Sequence, residues 1–261
     1  MSSDDSYDSD DATSSSDSDQ QNNSPSHPPS SNSSPNHPNS SPPPPSSSSN
    51  SSDNKTGPLL SLDLLASVAG NNDLEVLEDI EIIFSPVAEI ANLNRCCNLR
   101  SLTLINVGLK RLSNLACCGR SLERLCLPEN ELTRMEGLYL PNLRELYLHG
   151  NQICRIEGLD GCPKLQRLWL TDNRLVKIEH LSALGDLREL FLQGNRISRI
   201  QNIESLANLE SLQLGNNRIA DFKDLHRLAH LPNLRELVRI EQSWFYFADY
   251  ILVLFYKFLV L

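Results

Sequence analysis

The residues best equipped for chemistry in this chain are its seven cysteines: Cys96, Cys97, Cys117, Cys118, Cys126, Cys154 and Cys162. Two vicinal pairs, Cys96–Cys97 and Cys117–Cys118, lie about twenty residues apart, a spacing at which four thiolates can surround a zinc ion. A second use competes for the same residues. Cys96, Cys118 and Cys162 stand at the place in the local pattern that Leu184, Leu206 and Leu228 hold further along. A buried thiol packs as a small hydrophobe, so a core role is expected and neither metal nor cofactor is predicted. The histidines (His27, His37, His149, His180, His226, His230) are scattered, and none shares a motif with a serine, cysteine or aspartate. No glycine-rich phosphate loop occurs. No enzymatic activity is expected.

The elements that would position such residues are set by a period. In "LRELYLHGNQICRIEGLDGCPK", residues 143–164, leucine or isoleucine stands at places one, four, six, eleven, fourteen and seventeen. That spacing fits neither a plain helix nor a plain strand. The motif LxxLxL recurs from Leu99, Leu122, Leu143, Leu165, Leu187, Leu209 and Leu234, in steps of 23, 21, 22, 22, 22 and 25 residues. A weaker unit precedes them from Leu77, carried by Ile80, Ile82, Val87, Ile90 and Leu93. A fixed period of this length marks a solenoid whose units bury their apolar faces only by stacking.

Within one unit, Leu146 and Leu148 alternate with Glu145 and Tyr147, the period-two pattern of a short strand. Ile153, Ile156 and Leu159 then recur every third residue, which suits a 3₁₀-like or irregular return. The ninth place is Asn130, Asn151, Asn173, Asn195 and Asn217. An amide there can both donate to and accept from the backbone groups that a sharp bend strands inside the coil. The first full unit carries Val107 instead, so its bend is expected to be less well satisfied.

Composition divides the chain. Residues 1–57 hold 22 Ser, 9 Pro and 8 Asp, with Met1, Tyr7 and Ala12 as the only apolar residues, and carry −7 of the formal −10 charge. Such a segment cannot offset its ordering entropy and is expected to be a disordered tail. Ser2, Ser14 and Ser16 each have an aspartate three residues on, and Ser24, Ser34 and Ser41 precede proline, so the tail also offers phosphorylation sites. No secretory signal is read in "SSDDSYDSDD", and an odd number of cysteines accords with reduced thiols in an intracellular compartment. Residues 58–76, "PLLSLDLLASV" among them, are expected to form an N-terminal cap helix, residues 77–238 about seven repeats, and 239–261 an atypical hydrophobic end. Three readings of that end compete: an improvised helical cap, sequence foreign to the fold, and a tail anchor in which Asp249 and Lys257 would be costly. Nothing in the remaining mild negative charge favours nucleic acid.

Once the core is assigned, the outward strand places carry the functional signal. Between the fourth and sixth places come Thr103, Cys126, Tyr147, Trp169, Phe191, Gln213 and Val238. Parallel neighbours sit about 4.8 Å apart, so Tyr147, Trp169 and Phe191 should form one stripe. Arg124, Glu145, Arg167 and Glu189 alternate in sign two residues earlier; His149, Thr171 and Gln193 lie two residues later, with Asp172 beside them. Aromatics ringed by polar groups make a protein-docking surface; the competing use is cross-strand stabilisation at about 0.2–1 kcal/mol per pair. A second pair of columns, Arg111, Arg134, Arg155, Lys177 and Arg199 against Glu136, Glu157 and Glu179, reads as a solvated ion-pair ridge.

The units "NQICRIEGL", "NRLVKIEHL" and "NELTRMEGL" resemble the 22-residue class of leucine-rich repeats typified by the regulatory subunit of protein phosphatase-1. Axonemal dynein light chain and several centrosomal and ciliary scaffolds share the class. The resemblance implies an α/β solenoid with short parallel strands on a concave face and a 3₁₀ or irregular convex side. It implies a non-catalytic scaffold in the cytoplasm, cilium or nucleus whose concave strands hold a protein partner, such as a phosphatase catalytic subunit or an axonemal component. Carried over by position, that surface is Glu145, Tyr147, His149, Arg167, Trp169, Thr171, Glu189, Phe191 and Gln193. A nuclear ribonucleoprotein adaptor is the alternative, since some relatives dock RNA-binding proteins. No basic groove supports it, and neither nucleic acid nor membrane is an expected partner. Arg239, where an inward leucine belongs, departs from the class.

Overall fold

The computed structural model describes residues 57–70, 73–220 and 222–238. The expected disordered tail up to residue 56, Arg239 and the 239–261 end with its three readings lie outside the described residues. Among the described residues, no helix is long and apolar enough to cross a membrane.

One parallel sheet runs along the repeats. Its strands are β1 (Asp79–Ile83), β2 (Ser101–Ile105), β3 (Arg124–Cys126), β4 (Glu145–Tyr147), β5 (Arg167–Trp169), β6 (Glu189–Phe191), β7 (Ser211–Gln213) and β8 (Glu236–Val238), stacked in chain order. Each repeat supplies one strand, and the degenerate opening unit supplies β1, with Ile80 and Ile82 facing inward. Leu143, Leu146, Leu148, Ile153, Ile156 and Leu159 are all fully buried, and the same places in successive coils join them into a single core. No coil could bury these side chains alone, which is why the fold grows by stacking.

The ends of the coil are held by side-chain amides. Asn173 Nδ2 donates to the carbonyls of Leu148 and Leu170, while its Oδ1 accepts from the Ile153 N–H at 2.9 Å. Asn151, Asn195 and Asn217 repeat this arrangement, so each asparagine ties its own bend to the preceding coil. The bend at Val107 is better served than its side chain implies. Asn130 Oδ1 accepts from both Val107 N–H (3.1 Å) and Leu109 N–H (3.0 Å), and the Val107 carbonyl accepts from Val87 N–H (2.8 Å), the preceding-coil donor that an asparagine side chain would otherwise hold.

A further column emerges on the return path. The sixteenth place is left-handed in the six units that start at Leu77 to Leu187: Asn92, Asn114, Gly137, Gly158, His180 and Asn202 have φ of 56–80°. Asn92, Asn114 and Asn202 donate to the carbonyls of Leu60, Ile90 and Ile178 of the preceding segment. At Gly158 the backbones approach so closely that an added Cβ would meet the Met135 carbonyl oxygen at 2.3 Å.

At the N-terminal end the helix is shorter than the 58–76 expected. Helix α1 covers Leu62–Ala69, with Ser61, rather than the Pro58 region, as its N-cap; the Ser61 hydroxyl accepts from Leu64 N–H at 3.1 Å, and Gly70 at φ 68° closes it. Pro58 instead accepts a backbone hydrogen bond from Ala88, and Leu60 donates to Glu89, which fastens this segment to the opening coil. A separate 3₁₀ turn follows at Leu74–Val76. Further 3₁₀ turns lie at Leu93–Arg95, Ala116–Cys118 and Phe222–His230. The last of these absorbs the extra residues of the longest unit. As a result Leu231, not Leu228, takes the place of Leu184 and Leu206: Leu231 N–H donates to Leu228 and Leu234 N–H to Leu231, as Leu184 and Leu187 do to Leu181 and Leu184.

Candidate functional site

The strand register sets the site. Glu145, Arg167 and Glu189 are direct neighbours across β4, β5 and β6, as are Tyr147, Trp169 and Phe191. Leu146, Leu168 and Leu190 between them point into the core, so the pleat turns the charged and aromatic rows outward. His149, Thr171 and Gln193 follow immediately past the strands on the same side.

The rings pack on one another. Tyr147 and Trp169 meet edge to face with centroids 5.2 Å apart, Trp169 and Phe191 lie 4.7 Å apart at 59°, and the His149 ring stands 5.7 Å from Trp169. Each ring is half-buried by its neighbours, and such pairs add about 0.5–1.5 kcal/mol beyond area burial. The stripe is therefore a rigid platform. Trp169 Nε1 and His149 Nδ1 are covered and have no hydrogen-bond partner among the described residues.

The charged row is internally closed. Arg124 Nε donates to Glu145 Oε2 at 2.6 Å, Arg167 reaches Glu145 Oε1 and Glu189 Oε1 at 3.0 Å each, and Tyr147 Oη donates to Glu145 Oε2 at 3.1 Å. Burial pushes the Glu145 carboxyl up, but the hydrogen bonds from Arg124 and Tyr147 and the two guanidinium charges outweigh it and hold it below the usual range. Burial, then the neighbouring Glu145 charge, raises the Tyr147 phenol. Next to them, Thr171 Oγ1 donates to Gln193 Oε1 at 2.9 Å, and Gln193 donates to Gln213. Burial lowers the His149 imidazole against the opposing pull of Glu129 and Asp172. Glu129 escapes a reading based on strand places alone. Its signal is the alternation of acid and glycine at the eighth place: Glu129, Gly150, Asp172, Gly194.

The cysteines divide by burial. Cys96, Cys118 and Cys162 are in the core, while Cys97, Cys117 and Cys154 are exposed. Burial, with the nearby Cys117 thiol 3.8 Å away, pushes the Cys118 thiol up to about 12. Among the described residues, no group of three or more His, Cys, Asp or Glu side chains is placed to hold a metal ion. On the return path, Arg155 Nε donates to Glu179 at 2.9 Å, Arg134 lies 3.9 Å from Glu136, and Arg199 forks onto the buried Asp224 at 2.7 and 3.0 Å. Asp224 thus joins the ridge from outside the two columns read in the sequence.

Family models place the same pattern. One described as leucine-rich repeat matches residues 144–261, and one for two copies of the leucine-rich repeat matches residues 120–161. No curated protein matches the chain. Among solved structures, an internalin C2 of Listeria monocytogenes is similar at 25% identity and TM-score 0.53, over 68% of this chain and 91% of that one. A leucine-rich repeat protein of Leptospira interrogans is similar at 26% identity and TM-score 0.51, over 59% of this chain and 45% of that one. A Listeria internalin F, at 24% identity and TM-score 0.51, covers 58% of this chain and 47% of its own.

Proposed function

We propose that this leucine-rich repeat protein is a non-catalytic scaffold that docks a protein partner on the strand face of its array. Leucine-rich repeat proteins generally bind protein partners, and the reading here concerns where and how. The observation that carries it is the row Tyr147–Trp169–Phe191, three adjacent aromatics in register on strands whose fold requirement is met by the opposite face. Aromatic platforms with satisfied polar neighbours hold most of the energy of protein interfaces.

The finer reading rests on the resemblance of the repeats to the phosphatase-1 regulatory class and, over about residues 80–238, to the N-terminal array of leucine-rich repeat-containing protein 9. It assigns a phosphatase catalytic subunit or an axonemal or cytoskeletal component as partner and a cytoplasmic or ciliary location. The test is affinity capture from lysate with the full chain beside Tyr147→Ala with Trp169→Ala. The double variant is expected to stay folded by circular dichroism and to lose the partners. A folded variant that keeps every partner excludes the strand-face site. Absence of phosphatase-1, tubulin and dynein components from the wild-type eluate excludes the finer assignment.

A further inference from the structure

Two carboxylates border the aromatic row along one side. The residue at the eighth place of each unit is left-handed: Asn106, Glu129, Gly150, Asp172, Gly194 and Asn216 have φ of 50–69°. Gly, Asn and Asp reach that conformation at low cost, whereas Glu129 carries a larger penalty there. The glycines explain where the acids lie. A Cβ on Gly194 would fall 1.9 Å from Asp172 Oδ1, and one on Gly150 3.3 Å from Glu129 Cγ. Each acidic side chain therefore extends across the glycine of the next coil. His149 sits between the two acids, and its burial disfavours the imidazolium that would neutralise them.

The charge of the face does not close. Arg124 and Arg167, the cations of the outward strand row, are matched by Glu145 and Glu189. Asp79, Glu81, Glu129 and Asp172 remain on the same side. None of the four is within ion-pair distance of a lysine or arginine among the described residues. We infer that the segment docking on this face carries lysine or arginine beside an apolar anchor, the anchor seated on Tyr147, Trp169 and Phe191 and a cation held between Glu129 and Asp172. The inference rests on the docking reading above and adds the charge of the partner. Glu129 and Asp172 are two coils apart, about 10 Å at parallel strand spacing, so a cation between them stands about 5 Å from each and against the Trp169 edge of the platform. Like charge on the same face rejects nucleic acid and acidic segments, the form in which charge gives specificity.

The test uses the full chain and fluorescence anisotropy with short labelled peptides of equal length. All carry the same leucine and phenylalanine anchors, and the intervening residues are lysine, glutamine or glutamate. The lysine peptide is expected to bind about tenfold tighter than the glutamine peptide and the glutamate peptide weakest, with the lysine advantage shrinking from about 50 mM to about 500 mM salt. Glu129→Gln with Asp172→Asn should weaken the lysine peptide about 3–10-fold and leave the glutamine peptide unchanged. Glu75→Gln with Glu157→Gln, off this face, should change neither. Equal binding of the three peptides, no binding up to about 1 mM, or an unaltered Glu129/Asp172 variant overturns the inference. So does an equal loss in the off-face variant. If Tyr147→Ala with Trp169→Ala still abolishes binding in those cases, the docking reading stands alone; if it leaves lysine-peptide binding intact, both fail.

Discussion

Replacing Asn173 by alanine isolates what one rung of the asparagine column contributes. The side chain accepts from Ile153 N–H and donates to the carbonyls of Leu148 and Leu170. The two carbonyls keep a second amide donor, from Asn151 and Asn195 respectively. Only the Ile153 N–H loses its acceptor outright, at about 1–3 kcal/mol for a buried donor. The two carbonyl bonds add about 0.5–1 kcal/mol each. The expected loss is thus about 2–5 kcal/mol. With an m-value of about 2–3 kcal/mol/M, the urea midpoint should fall by about 1 M, read by far-UV circular dichroism. Arg155→Ala, which removes an exposed ion pair to Glu179, should shift it by about 0.5 kcal/mol or less.

Asn130 accepts from two buried donors, Val107 N–H and Leu109 N–H, where Asn173 accepts from one, Ile153 N–H. Asn130→Ala should therefore cost more than Asn173→Ala by about 1–3 kcal/mol. An Asn173→Ala shift no larger than that of Arg155→Ala, or an Asn130→Ala loss no larger than that of Asn173→Ala, would refute the account of the column.

Three further outcomes are expected. Brief alkylation of the native chain followed by mass spectrometry should label Cys97, Cys117 and Cys154 well before Cys96, Cys118 and Cys162, since thiolate and access are both suppressed in the core. Gly158→Ala should destabilise by more than about 2 kcal/mol, because both its φ of 72° and the Met135 carbonyl forbid a Cβ; Gly70→Ala, also left-handed but in open space, should cost about 1 kcal/mol in the same denaturation assay. The Glu145 carboxyl is held below its ordinary value, so its contribution is complete above the unfolded carboxyl pKa of about 4.3 and is lost as pH falls through the lower folded value. Wild type and Glu145→Gln should then differ most near neutrality and converge under acid, in stability measured from pH 7 down to about 3.

The architecture was legible because its signal is local and repeated. Six leucine or isoleucine places in a unit of about 22 residues leave one stacked solution, and the asparagine at the ninth place is the residue type that a buried bend demands. The aromatic row was legible for the same reason: equal spacing in sequence becomes strand register, and Tyr147, Trp169 and Phe191 are direct neighbours. Features that depend on the coil above or below were harder to read. Val107 looked like a deficient bend, yet its carbonyl accepts from Val87 N–H of the preceding coil. The longest unit displaces the pattern so that Leu231 replaces Leu228, a shift set by how many residues the 3₁₀ turn Phe222–His230 consumes.

The sequence alone determined the period, the inward faces of the strands and the identity of the outward rows, because those follow from side-chain size and a fixed step along one chain. The tertiary structure decided which charges close on one another and which stay open. Arg124, Glu145, Arg167 and Glu189 are evenly alternating letters until the strands stack, whereupon Glu145 takes two guanidinium groups and a phenol at once. Glu129 and Asp172 are ordinary acids until the glycines of the next coils let their side chains lie flat beside the aromatic row. Hydrogen bonds and charge pairs are short-ranged, so they are fixed only when stacking brings coils that are about twenty residues apart in sequence to about 5 Å in space.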